Sequence, residues 1–150
     1  MACKITYWVE EESLVGDVGN DWSYSVIARV YNPTLLGAGE IRQPEHRLDP
    51  GTTGLPPNRK RVELPAGASG SSPAVLLVLS ATEVDWLSDD TASNQMVIVL
   101  QCPEPGATPL VREVDIAVRV TESSRIVKFF KGAAASADLT VKIKLELTCV

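Results

Sequence analysis

The chain is short of the residues that most catalytic and metal sites use. It has one His and three Cys among 150 residues, and it contains no Cys-x-x-Cys, no Gly-x-Ser-x-Gly and no phosphate-binding Gly-rich loop before a helix. A single His excludes multi-His metal sites, and the missing motifs remove the common nucleophilic and nucleotide-binding arrangements. We therefore expect a protein that is not an enzyme.

Positive charge and long apolar runs are also scarce. The 14 Lys and Arg against 19 Asp and Glu give a net charge of −5, which argues against nucleic-acid binding because that needs a basic surface. No apolar run approaches the roughly 20 residues that span a bilayer. Because the first residues also lack a secretory signal pattern, we expect a cytoplasmic protein without a transmembrane segment.

The three cysteines, Cys3, Cys102 and Cys149, are odd in number and far apart in the chain. We expect reduced, mostly buried thiols, as in other cytoplasmic proteins. The sequence leaves one alternative open, because Cys3 and Cys149 would meet if the first and last strands pair.

Alternation of apolar and polar residues is the strongest pattern. Residues 139–149 and 113–121 alternate strictly, which is typical of strands with one buried and one solvated face. Further predicted strands, rich in Val, Ile and aromatic residues, cover residues 4–10, 23–31, 74–80, 95–102 and 125–131. The continuous apolar runs at 74–79 and 96–100 indicate central strands that are covered on both faces.

The segment 32–73 is different, since it holds seven of the ten Pro residues. We expect short edge strands at 39–42 and 61–64 and turns at 49–51 and 65–67; an arm that docks on a partner is the alternative. Ser80-Ala81-Thr82-Glu83 matches a capping box and predicts a short helix over 81–89. Together these patterns predict one all-β domain, an antiparallel, Greek-key-like β-sandwich of about seven to nine strands, with a barrel as the alternative.

Much of the acid lies in two predicted interstrand loops, residues 10–21 and 83–90. If both loops lie at one end of the sandwich, their carboxylates converge, and calcium takes about six to eight oxygen ligands. Acidic turns that keep the protein soluble are the simpler alternative. The candidate metal ligands are Asp17, Asp21, Glu83, Asp85, Asp89 and Asp90.

These loops resemble the calcium loops of the phospholipid-binding β-sandwich domains of protein kinase C and synaptotagmin. The resemblance covers residues 4–30 and 75–100, and it is carried by Asp21-Trp22-Ser23-Tyr24-Ser25-Val26 and by Glu83-Val84-Asp85-Trp86-Leu87-Ser88-Asp89-Asp90. It implies that Asp17 and Asp21 hold calcium in the first loop, and that Glu83, Asp85 and Asp89 or Asp90 hold it in the second. Two departures are the short spacing from Asp17 to Asp21 and Glu83 in place of an Asp.

Tryptophans and one basic cluster complete the candidate sites. Trp8, Trp22 and Trp86 each lie beside acidic residues, and aromatic faces near carboxylates can hold a sugar or a peptide side chain. They could equally close the ends of the core. Arg59, Lys60 and Arg61 could grip a phosphate or an acidic partner, or simply solvate an edge strand.

The expected function is therefore binding or assembly through protein–protein contacts, with self-assembly as one form. The alternative is a calcium-dependent module that binds lipid headgroups or glycans, as a peripheral membrane or glycan contact, through the acidic loops 10–21 and 83–90. A hydrolase with two facing carboxylates is a third possibility.

Overall fold

A computed structural model describes residues 2–16, 21–84, 89–121 and 136–150. Within these residues the chain forms nine strands and no helix, which confirms the all-β prediction. The strands are β1 Ala2–Gly16, β2 Asp21–Tyr31, β3 Leu35–Arg47, β4 Thr53–Gly54, β5 Val62–Ala68, β6 Ala74–Glu83, β7 Asp90–Val99, β8 Leu110–Thr121 and β9 Ser136–Cys149. The predicted strand over 125–131 lies outside the described residues.

The strands form two antiparallel sheets that pack face to face, so the predicted β-sandwich is confirmed. One sheet has the order β4-β1-β9-β8, and β5 also pairs with β1; the other has the order β3-β2-β6-β7. We call them the β9 sheet and the β6 sheet after their central strands. Their inner faces share one hydrophobic core.

The alternation in β9 explains why this strand is central to its sheet. Every second side chain from Ala137 to Cys149 points inward and is buried, while the Thr, Lys and Glu residues between them face outward. Burying one Leu, Ile or Val side chain stabilises the fold by about 1.5–3 kcal/mol. The inward row of β9 is therefore a large contributor to the core.

Two predictions about the β6 sheet are wrong. The helix predicted over 81–89 is absent where the structure describes it, because Ala81, Thr82 and Glu83 continue β6. The run 96–100 was expected to be central and covered on both faces, yet β7 is the edge of its sheet. Val97 and Val99 point outward and are 63% and 67% exposed.

The Pro-rich middle and the first acidic segment are more regular than a loop. The predicted edge strands exist as β3 and β5, both longer than expected, and the turn at 49–51 is confirmed. The turn predicted at 65–67 is wrong, because Pro65 and Gly67 lie within β5. Residues 10–16, expected to belong to a loop, continue β1 and pair with β9 as far as Gly16.

The first and last described strands are neighbours. In their register Cys3 faces Cys149, with 4.0 Å between the Cα atoms, and a disulfide joins the two residues. The prediction of reduced thiols is therefore wrong for this pair, and the alternative that paired the chain's two ends is correct. Cys102 is a free, buried cysteine, as predicted.

A membrane-crossing helix was not expected from the sequence. Among the described residues, none belongs to a helix with the length and hydrophobicity needed to cross a bilayer.

Candidate functional site

The two acidic segments meet at one end of the sandwich. Trp22 faces Glu83 in the register of β2 and β6, and the backbone N–H of Val84 donates a hydrogen bond to the carbonyl of Asp21 at 2.8 Å. The calcium hypothesis required this shared end. Of the candidate ligands, Asp17 and Asp85 lie outside the described residues.

The described candidate ligands do not form a cation cage. Glu83 and Asp90 face each other on the inner side of β6 and β7 and are 1% and 6% exposed. Asp21 points outward, and Asp89 immediately precedes β7. In the described part of the chain, no three carboxylates bring oxygens within 4.8 Å of one another.

A positive charge also lies at this end. Arg47 pairs with Asp21 in the register of β2 and β3 and forms an ion pair with Asp49 at 2.8 Å. The pKa of its guanidinium is raised, mainly by the hydrogen bond and charge of Asp49 and to a smaller degree by the charge of Asp21. Part of the local negative charge is thus neutralised by the chain itself.

The structure brings one tryptophan and one basic residue of the candidate set together. The guanidinium carbon of Arg61 lies 3.9 Å from the centroid of the Trp8 ring, and the indole N–H of Trp8 donates to Glu10 at 2.7 Å. Such cation–π contacts stabilise by about 0.5–2 kcal/mol. Arg59 and Lys60 are exposed beside this contact, so the pairing orders the outer face of β1 near the basic cluster.

The other two tryptophans of the candidate set are Trp22 and Trp86. Trp22 is fully buried on the inner face of β2. Its indole nitrogen has no hydrogen-bond partner among the described residues, so its ring serves the core rather than an open surface. Trp86 lies outside the described residues.

Sequence reasoning missed a buried polar cluster made of Glu12, Tyr24 and His46. The Tyr24 hydroxyl donates to one oxygen of Glu12, and Nε2 of His46 lies 2.6 Å from the other. Nδ1 of His46 lies 2.6 Å from the carbonyl of Pro44. Burial, and then the charge of Glu12, raise the pKa of the Tyr24 hydroxyl far above its usual range.

The position of Glu12 explains why the pattern hid this cluster. A bulge between Val9 and Glu11 shifts the register of β1 against β9. Tyr7 and Val9 point inward before the bulge, whereas Glu12 and Leu14 point inward after it. Strict alternation from Tyr7 would have placed Glu12 on the outside, so only the β1–β9 pairing reveals its burial.

The outer faces of the two sheets have opposite character. The outer face of the β9 sheet carries ion pairs between neighbouring strands. They join Lys144 to Glu113 at 3.2 Å, Lys142 to Glu11 at 3.5 Å and Arg119 to Asp138 at 2.9 Å. This face is therefore mostly polar, and several of its charges are paired, although Val15 and Val111 are exposed on it as single apolar residues.

The outer face of the β6 sheet instead has an apolar part. Cross-strand rows place Ile27 beside Val78, Leu76 beside Val97, and Ala74 between Tyr31 and Val99. We call these residues the apolar stripe: Ile27, Tyr31, Ala74, Leu76, Val78, Val97 and Val99. No described segment of the chain lies over the two valines of β7, since both are more than three-fifths exposed.

A polar groove continues from the apolar stripe on the same face. It has a volume of about 510 Å³ and is lined by residues including Ser23, Ser25, Ser80 and Thr82. Glu40 and Arg42, joined by an ion pair of 2.7 Å, form its wall on β3. The β6 sheet thus presents an apolar area beside a polar one, as protein interfaces commonly do.

No family model matches the chain, and a search of curated proteins found no match.

Proposed function

We propose that this protein is a non-catalytic binding and assembly protein, and that it works by protein–protein contact through the outer face of the β6 sheet. The observation that carries this proposal is the contrast between the two outer faces. The β9 sheet joins several of its charges in cross-strand ion pairs, whereas the β6 sheet leaves Val97 and Val99 largely exposed next to other apolar side chains. Contiguous exposed apolar surface marks interaction sites on soluble proteins.

The partner in this proposal is a second copy of the chain. Two twisted sheets can pack face to face at about 10 Å, so that apolar rows from both copies interdigitate. Arg29 lies among the stripe residues and forms no ion pair within the described residues, while Glu40 lies on the neighbouring strand of the same face. A two-fold arrangement allows Arg29 to approach Glu40 of the second copy, which favours self-pairing.

The test is the mass of the protein in solution, measured by size-exclusion chromatography with light scattering over a range of concentrations. We expect the wild type to exceed the monomer mass of 16.1 kDa. The double variant Val97→Lys with Val99→Lys should return it to a monomer, because four buried charges per dimer would face an apolar surface.

A matched control replaces exposed valines on the opposite sheet. Val15 and Val111 are also exposed, and both point outward from the β9 sheet. The double variant Val15→Lys with Val111→Lys should assemble like the wild type. A wild type that is monomeric at every concentration would remove self-assembly from the proposal.

A calcium-dependent module for lipid headgroups or glycans is the second candidate, favoured because Asp21 and Val84 lie side by side at one end. In this proposal calcium would raise the melting temperature, since ligand at 100 times its dissociation constant stabilises by about 2.7 kcal/mol. Asp21→Asn should reduce the shift and the remote Glu113→Gln should keep it. If the protein melts at the same temperature in millimolar calcium and in the presence of a chelator, the calcium-dependent function is contradicted.

The cellular location of the protein is also a proposal. The sequence favours the cytoplasm, whereas the Cys3–Cys149 disulfide is more typical of an oxidising compartment. Assembly through the apolar stripe is compatible with either location.

A further inference from the structure

Three cysteines from distant parts of the chain converge at the end of the sandwich opposite the acidic segments. Cys3 is the second residue of β1, Cys149 is the last residue of β9, and Cys102 follows β7. Their three sulfur atoms lie within 4.8 Å of one another. All three residues are buried, at 2–8% exposure, so this cluster has little contact with solvent.

Backbone pairing holds each of the three residues in place. Cys3 and Cys149 are direct partners between β1 and β9. The N–H of Cys102 donates to the carbonyl of Ser71 at 2.8 Å, and the N–H of Gly70 donates to the carbonyl of Cys102 at 3.1 Å. The cluster is therefore built on paired backbone on every side, and it is positioned before any ligand arrives.

A hydroxyl group is available to a charged sulfur in this cluster. The Ser71 hydroxyl lies 3.5 Å from the sulfur of Cys102, and it accepts a hydrogen bond from the Asn32 side chain at 2.8 Å. Its own proton can point either to the carbonyl of Ala68 or to the sulfur of Cys102. Rotation of this hydroxyl would supply a hydrogen bond to a thiolate, a support that metal-bound sulfur commonly has.

We propose that the reduced protein binds one thiophilic metal ion, of the zinc or copper(I) class, through the thiolates of Cys3, Cys102 and Cys149. Zinc–sulfur bonds are about 2.3 Å long, which places three sulfurs around one ion roughly 3.8–4.0 Å apart. In the oxidised protein the sulfurs of Cys3 and Cys149 are bonded, and the sulfur of Cys102 lies within 4.8 Å of both, so the two bonded sulfurs must move apart after reduction to surround one ion with Cys102. Thiolate ligands select these soft ions over calcium or magnesium.

Metal binding requires the disulfide to open first. A dithiol reductant donates two electrons and two protons to the Cys3–Cys149 bond, which gives two thiols while the reductant becomes a cyclic disulfide. Each of the three thiols then releases its proton when its sulfur coordinates the ion. The oxidised protein keeps one thiol, Cys102, and binds no metal at this cluster.

The experiment titrates the reduced, desalted protein with Zn²⁺ against a chromophoric chelator, without oxygen. We expect one ion per chain, and we expect all three thiols to react more slowly with iodoacetamide in the Zn²⁺-bound protein than in the reduced, metal-free protein. Cys102→Ser should weaken binding by more than roughly 100-fold, because a lost ligand exceeds the 10–100-fold effect of losing an outer-shell partner. Ser72→Ala, at an exposed neighbour of Ser71, is the control and should bind like the wild type.

Three results would overturn the proposal. They are no binding by the reduced wild type, equal binding by the oxidised wild type, and undiminished binding by Cys102→Ser. If Cys102→Ser fails to fold, which circular dichroism would show, the alkylation count on the wild type decides. Protection of fewer than three thiols by Zn²⁺ then contradicts the three-sulfur site.

Discussion

Glu12 is a carboxylate inside the sandwich, at 2% exposure, and its surroundings explain how it is tolerated there. Tyr24 and His46 each contact one of its oxygens, and His46 also contacts the carbonyl of Pro44. Both ring nitrogens of His46 therefore lie beside oxygen atoms, Nε2 beside Glu12 and Nδ1 beside Pro44. The carboxyl group of Glu12 thus has a polar partner at each of its oxygens and is not buried without partners.

The first prediction concerns the hydroxyl of Tyr24. Tyr24→Phe should lower the free energy of unfolding by about 1.5–3 kcal/mol, because a hydrogen bond to a buried carboxylate is lost while the ring remains. Tyr31→Phe, on the half-exposed outer face of the same strand, is the control and should change it by less than about 0.5 kcal/mol. Urea unfolding followed by fluorescence measures both, and equal effects would contradict the role of the cluster.

The second prediction is a loss of stability in alkali. The pKa values of Tyr7 and Tyr24 are raised, chiefly by burial. In the unfolded chain they titrate near the usual value of about 10. The contribution of the two tyrosines to the free energy of unfolding is therefore complete below about pH 10. It is lost as the pH rises further, because their hydroxyl groups release protons in the unfolded state before they do so in the folded state.

Urea unfolding from pH 9 to 11.5 should show this decline. Tyr24→Phe should make the slope shallower by up to about 1.4 kcal/mol per pH unit, the effect of one proton. Lysines also lose charge in this range, so the difference between the variant and the wild type isolates the tyrosine. Identical slopes for the two proteins would refute the assignment to Tyr24.

At the scale of elements, strand existence was predictable wherever one face is buried and the other is wet. β9 and β8 follow this pattern, and both were predicted nearly at their observed bounds. β7 was misplaced because an apolar strand in the middle of a sheet and an apolar edge strand have the same composition. Only the strand order shows that Val97 and Val99 lack cover from the described residues.

Glycine in β3 shows why the Pro- and Gly-rich segment still forms strands. A Cβ at Gly39 would lie 2.6 Å from a methyl of Val62, the first residue of β5, and 3.6 Å from the Tyr7 hydroxyl. β3 and β5 belong to different sheets and approach each other closely here, so the edge of the sandwich closes only over a residue without a side chain.

The third prediction follows from this close approach. Gly39→Ala should lower the free energy of unfolding by about 1–3 kcal/mol, because the added methyl forces β3 away from β5. Gly54→Ala is the control, since a Cβ at Gly54 has no neighbour within 4 Å, and it should be neutral or slightly stabilising. Thermal unfolding measures both variants. If Gly39→Ala has the same stability as the wild type, the close approach of β3 and β5 at this residue is contradicted.

For the whole molecule, the candidate sites depend on which strands are neighbours. Pairing of β2 with β6 brings the two acidic segments to one end, and pairing of β1 with β9 brings Cys3 and Cys149 together at the other. Both pairings join residues that are far apart in sequence. Patterns within single strands identify the residues of each site, but they do not identify the neighbouring strand, so the partners of Glu12 and Cys102 could not be predicted.

The last prediction tests how the disulfide between the chain's two ends acts on the whole fold. It joins residues 146 positions apart, so it constrains nearly the entire unfolded chain. Cys3→Ala with Cys149→Ala should therefore lower the free energy of unfolding by about 2–5 kcal/mol, the upper value being the loop-closure estimate for this separation. The measurement is urea unfolding under non-reducing conditions with a metal chelator present.

Cys102→Ala is the matched control, because it removes one buried sulfur and keeps the crosslink. This variant should lower the free energy of unfolding by about 1 kcal/mol, the usual effect of a single substitution. In the reduced state the double variant and the wild type should differ only by the lost packing of two sulfurs. If the double variant has the same free energy of unfolding as the oxidised wild type, the prediction is wrong. The pairing of β1 with β9 would then suffice to hold the two ends together, and the crosslink would add nothing to the stability of the fold.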